Sequence, residues 1–136
     1  MREIKFRAWD KKAKVMRRVT QIDFWDGLVF WVNKLRILRE VKENRENVEL
    51  MQYTGLKDKN GVEIYEGDFL KYRPAFWDGP EKPEHITKDD YKTKKVEYIQ
   101  GGFHIDGIPL GRLIKAVEMN VIGNVYENPE FLEAKK

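Results

Sequence analysis

Apolar and polar residues alternate from the start of the chain. Ile4, Phe6 and Ala8 interleave with Glu3, Lys5, Arg7 and Trp9. A strict period of two predicts a half-buried β-strand. Val19–Trp25 and Leu28–Val32 are two further β-rich runs, joined at Asp26-Gly27. Asp-Gly between such runs predicts a tight hairpin with positive φ at both residues. Within Phe24/Trp25 and Phe30/Trp31, strand geometry sends one ring inward and one outward. Asn33 to Asn47 is densely charged, with Leu35, Leu38 and Val41 recurring every third residue. That stripe is incomplete, and helix and extended loop both stay open here.

Val48–Tyr53 reads as a strand, broken by Thr54–Asp58, with a tight-turn signal at Asn60-Gly61. Val62–Tyr65 and Phe69–Tyr72 follow as strands on either side of Glu66-Gly67-Asp68, where Gly67 is expected to supply a φ that a Cβ resists. Arg73 to Thr93 holds Pro74, Pro80 and Pro83 among many charges, which predicts a long surface loop. Lys95–Gln100 and Phe103–Ile105 flank Gly101-Gly102 as a third hairpin. Gly107–Gly111 reads as a turn region and Glu118–Glu127 as the closing strand. Asn128-Pro129-Glu130 then opens a short helix: a capping residue, proline at the first helical position and an acid in the first turn.

Composition narrows the class. The chain has 136 residues, 41% hydrophobic and 12% aromatic, which suits one core-forming domain. Charge is dense but nearly balanced, with 26 basic and 23 acidic residues giving +3. Such a balance makes clustering more informative than the total. There is no cysteine, so disulfides and thiolate metal sites are excluded. No apolar run approaches the roughly 20 residues of a membrane-spanning helix. The N-terminus also lacks a signal-peptide block, so a cytoplasmic protein without a membrane role is expected.

Candidate chemistry is sparse. With no serine and no cysteine, Ser/His/Asp and Cys/His mechanisms are out. Thr20, Thr54, Thr87 and Thr93 have no adjacent base. Asp58, Glu63, Glu66 and Asp68 lack calcium-loop spacing, and turn chemistry explains them better. His85 and His104 fit no metal motif. A metal-dependent enzyme using Glu66, Asp68 and His104 is the least favoured reading; no catalytic residue, metal or cofactor is assigned.

Two surface groups carry more. Lys5, Arg7 and Trp9 share one strand face, and Lys11, Lys12, Lys14, Arg17 and Arg18 follow. Cations with an aromatic suit single-stranded nucleic acid, although lysines and arginines also commonly line solvated strand faces. Phe24, Trp25, Phe30 and Trp31 are candidates for self-association, where aromatics are favoured.

Three segments identify a relationship: Met1–Asp10, Met51–Leu70 and Val121-Ile-Gly-Asn-Val-Tyr-Glu-Asn-Pro-Glu130. On these the chain resembles the YopX family, small proteins found mostly in bacteriophages and prophages. The resemblance implies a β-rich accessory protein that self-associates, and it brings no catalytic residues, cofactor or substrate.

The expectation is a mostly-β single domain over residues 1–136. Residues 1–47 contribute an N-terminal β-hairpin layer. Residues 48–127 build a small, partly open, SH3-like barrel interrupted by the 73–93 loop, and 128–136 add a short helix. The expected role is non-enzymatic: a phage or prophage protein in the bacterial host cytoplasm that forms a homo-oligomer and binds a macromolecule. Nucleic acid on the basic N-terminal face is the alternative partner to a host or phage protein.

Overall fold

A computed structural model describes residues 3–32, 40–73 and 91–133. The chain is mostly β, in two antiparallel sheets that form no closed barrel, with a short helix near the C-terminus. Of the earlier expectations, Leu35, Leu38 and most of the 73–93 loop, including His85 and Thr87, lie outside the described residues. Contacts divide the chain into two compact units, Met1–Tyr53 and Thr54–Lys136.

In the first unit, β1 (Phe6–Asp10), β2 (Val15–Asp23), β3 (Leu28–Val32), β4 (Glu40–Asn44) and the start of β5 (Val48–Lys57) lie in the order β4-β3-β2-β1-β5. A single 3₁₀ turn, Arg45–Asn47, leads into β5. The segment left open between helix and loop therefore ends as strand β4. Its residues pair along β3 from Leu28↔Asn44 to Val32↔Glu40. Ala8, Val29, Trp31 and Val48 form the buried cluster, with Val19 and Leu50 against it.

The β1–β2 and β2–β3 hairpins use one device. Asp10 ends β1, and its Oδ1 accepts the N–H groups of Lys12 and Ala13 at 3.0 and 3.1 Å. Asp23 ends β2, and its Oδ1 accepts those of Trp25 and Asp26, both at 3.0 Å. Four residues separate the paired strand ends, and the last of them takes positive φ: Lys14 at 56° and Gly27 at 68°. The Asp26-Gly27 turn is thus not the expected two-residue type. Asp23 organises a longer loop, and only Gly27 is left-handed. Two-residue turns with both φ positive occur instead in the second unit, at Gln100-Gly101 (50° and 78°) and Asp106-Gly107 (52° and 78°).

In the second unit the remainder of β5 leads to β6 (Glu63–Tyr65), its neighbour. Then follow β7 (Asp68–Tyr72), β8 (Lys92–Ile99), β9 (Gly102–Ile105), β10 (Ile108–Pro109), α1 (Leu110–Ala116), β11 (Met119–Asn124) and α2 (Glu130–Glu133). Strand order in this second sheet is β10-β9-β8-β7-β11. Ile64, Leu70, Tyr72, Val96, Ile105, Leu110 and Met119 are buried together. β7 is buried on both faces at its start, because Phe69, opposite in direction to Leu70, meets Phe131 of α2 edge-on at 5.3 Å, while Lys71 further along is exposed.

Helix α1 corrects the expected turn at Gly107–Gly111. Its apolar residues Leu110, Leu113 and Ile114, with Val117 one turn on, fall at helical spacing and pack on the buried cluster. The C-terminal helix begins as predicted, but Asn128 does not cap it. Its Oδ1 accepts the backwards N–H of Asn124 at 3.2 Å. A Cβ on Gly123 would overlap that same Asn128 side chain, which accounts for glycine beside the β7–β11 bulge.

Candidate functional site

The expected basic face lies on β1 and β2, and cross-strand register decides which side chains share it. Arg7 stands opposite Arg18, and Trp9 opposite Met16, so these four share one face. Ala8 stands opposite Arg17, which places Arg17 on the other face, with the buried cluster. The seven cations and Trp9 are therefore not one continuous strip. Period two separates Arg17 from Arg18 as surely as it separates Arg7 from Ala8.

Arg17 has a structural task. Its guanidinium lies 3.3 Å from Asp10 Oδ2 and 5.4 Å from the centre of the Trp31 ring. Burial raises the Asp10 carboxyl pKa. The hydrogen bonds from Ala13 and Lys12 outweigh it, together with Arg17, and hold the group below its ordinary value. Elsewhere on this surface, Lys5 pairs with Glu3 at 3.2 Å and lies over the Tyr53 ring. Lys11 pairs with Glu49 at 3.0 Å and donates to the Glu46 carbonyl. Lys12 and Arg18 are exposed and Trp9 is half-buried. Three of the seven cations that suggested phosphate binding, Lys5, Lys11 and Arg17, are thus paired with neighbouring carboxylates.

The aromatic group also divides, but differently from the strand rule. Trp31 is buried and Phe30 half-buried, as alternation requires. Phe24 is 82% exposed and Trp25 95% exposed. Both point outward because β2 ends at Asp23, and strand alternation does not extend into the loop. Two large rings thus stand exposed side by side at the tip of a hairpin whose backbone is held by hydrogen bonds to Asp23. Isolated apolar side chains on a surface are ordinary, whereas adjacent large ones mark contact sites.

Of the acidic residues of the central segment, Asp58 and Asp68 pin turns. Asp58 is buried; its Oδ1 accepts the N–H groups of Asn60 and Val62, and its Oδ2 that of Val121 at 3.0 Å. Asp68, also buried, accepts the Tyr65 N–H at 2.8 Å. Gly67, at φ 84°, donates to Val96 and accepts from Val125, both at 2.9 Å. His104 Nδ1 lies 3.1 Å from the Gly102 carbonyl. Among the described residues no three His, Asp or Glu side chains gather in a way that could hold a metal ion. Among them, too, no helix is long and apolar enough to cross a membrane.

Comparison with known proteins finds relatives along nearly the whole chain. The crystal structure of protein EF1440 from Enterococcus faecalis has a TM-score of 0.66 and 31% sequence identity, covering 97% of this chain and 99% of that one. The crystal structure of yopX from Bacillus subtilis has a TM-score of 0.60 and 21% identity, covering 93% and 96%. No curated protein matches the chain. The family model described as YopX protein matches residues 5–133, nearly the full length. The chain belongs to the YopX family.

Proposed function

We propose that this protein is a non-enzymatic phage or prophage accessory protein of the bacterial cytoplasm that self-associates and binds a macromolecular partner. The observation that carries the reading is the exposed aromatic tip Phe24-Trp25. Its acids, Asp23 and Asp26, sit at one end of β2, while Lys12 and Lys14 sit at the other, nine strand residues away. At about 3.3 Å per residue these ends stand roughly 30 Å apart. Opposite charge at the two ends favours a second copy aligned the other way, with rings covered at each contact.

Size-exclusion chromatography with light scattering tests this. The wild type is expected as a dimer or larger at tens of micromolar, and F24S/W25S as a monomer. A wild type that is monomeric under those conditions overturns the reading.

A further inference from the structure

The second unit contains a cleft of about 560 Å³ lined by Lys59, Lys71, Arg73, Tyr91, Val117, Glu118 and Asn120. Three of its side chains are cationic and one is acidic. Glu118 lies 3.6 Å from Lys59 and is otherwise directed to solvent, its side chain 84% exposed. Lys71 sits on β7 directly opposite Asn120 on β11, and Arg73 follows two residues on. The Lys71 ammonium stands 5.3 Å from the centre of the Tyr91 ring. Among the described residues no carboxylate lies within ion-pair distance of Lys71. That contrasts with Lys5, Lys11 and Arg17 of the first unit.

Hydrogen bonds tie the segment that carries Lys59 to the one that carries Asn120. Lys59 N–H donates to the Met119 carbonyl, and Asp58 next to it accepts from Val121. Asn60 Nδ2 donates to Asn120 Oδ1 at 3.1 Å, so the Asn120 amide keeps its NH₂ as a donor at the cleft. The volume falls within the range of small-molecule sites, about 300–1,000 Å³. Cations, an aromatic ring and an amide donor are the groups that meet phosphate, base face and base edge.

We propose that this cleft binds a nucleotide, free or as one unit of a single strand, with its phosphate on Lys71 and Arg73 and its base beside Tyr91. The proposal is independent of self-association through the hairpin tip. The ammonium and ring stand together, so a phosphate held by Lys71 brings the attached sugar and base to Tyr91.

The test uses the full chain with two probes at low salt: a fluorescein-labelled oligothymidylate followed by anisotropy, and AMP followed by calorimetry. Lys71→Gln and Tyr91→Ala are each expected to weaken binding about fivefold or more, since a stacked base or phosphate contact is worth at least that much. Lys11→Gln, on the first unit, is expected to leave it unchanged. Lys71→Gln should also flatten the salt dependence of oligomer binding by about 0.7 in log–log slope. Parallel losses for both probes identify a free-nucleotide site; losses for the oligomer alone identify a strand-binding site. The proposal is overturned if neither probe binds, if Lys11→Gln weakens binding as much as Lys71→Gln, or if Tyr91→Ala binds like wild type.

Discussion

Asp58 shows how one side chain can define a turn. It satisfies three backbone N–H groups, one of them 63 residues away in sequence. Removing the buried acceptor leaves its donors, above all the Val121 N–H, without their partner, and an orphaned group costs about 1–3 kcal/mol. Asp58→Ala is therefore expected to lower unfolding free energy by about 3 kcal/mol in urea titrations, with circular dichroism as the probe. Asp10 adds a pH dependence. Its folded pKa lies below the ordinary 3.8, so the charged form favours the folded state. That stabilisation is complete above the ordinary value and disappears as pH falls through the lowered one. Acid titration should show the wild type losing stability below pH 3.8 more steeply than Asp10→Asn. The turn role of Asp58 could be read from its place beside Asn60-Gly61. The same role for Asp10, Asp23 and Asn124 was not legible, since any Asp or Asn in a polar stretch fits it. Only the position of the strand end decides which of them accepts the N–H groups two and three residues on.

Among the elements, strands were the most readable and α1 the least. β1, β3, β7 and β9 lie where period two or short apolar runs predicted them. Leu110-Gly-Arg-Leu-Ile-Lys-Ala116 was obscured by Pro109 and Gly111, which signal a turn, although its leucines keep helical spacing. Tertiary burial outweighed local punctuation. Leu110 is 1% exposed within the cluster that includes Ile105 and Met119. Leu110→Ala is expected to lose about 3 kcal/mol of stability by transfer and cavity terms. Arg112→Ala, on the exposed face of the same helix, should stay within about 0.5 kcal/mol. Thermal melts of the two variants check both. The outward orientation of Phe24 and Trp25 was missed for a related reason: the sequence does not mark where β2 stops, and alternation ends there.

At the scale of the molecule, the mostly-β class, the antiparallel sheets and the family relationship were legible in the sequence. Of the candidate surfaces, the aromatic pair Phe24-Trp25 was legible and the others were not. The basic N-terminal run looked continuous because linear sequence hides register; pairing places Arg17 beside the buried Asp10 and sets Lys5 and Lys11 against carboxylates. The second unit's cleft draws on Lys59, Lys71, Tyr91 and Asn120, spread across 62 positions that no local motif connects. Such a set becomes visible only when β7 and β11 are known to be neighbours.

The placement of β1 between β2 and β5 has a consequence for synthesis. Arg7 meets Arg18 early, but Phe6 pairs with Gln52, 46 residues further along the chain (52 − 6). At about 5–20 residues per second, the ribosome takes several seconds to supply that partner. Until then a β1–β2 hairpin has its β1 edge unpaired, and an open edge invites other strands. Arg7 and Arg18, opposite one another on that hairpin, give it like charge, and like charge disfavours two such hairpins joining there.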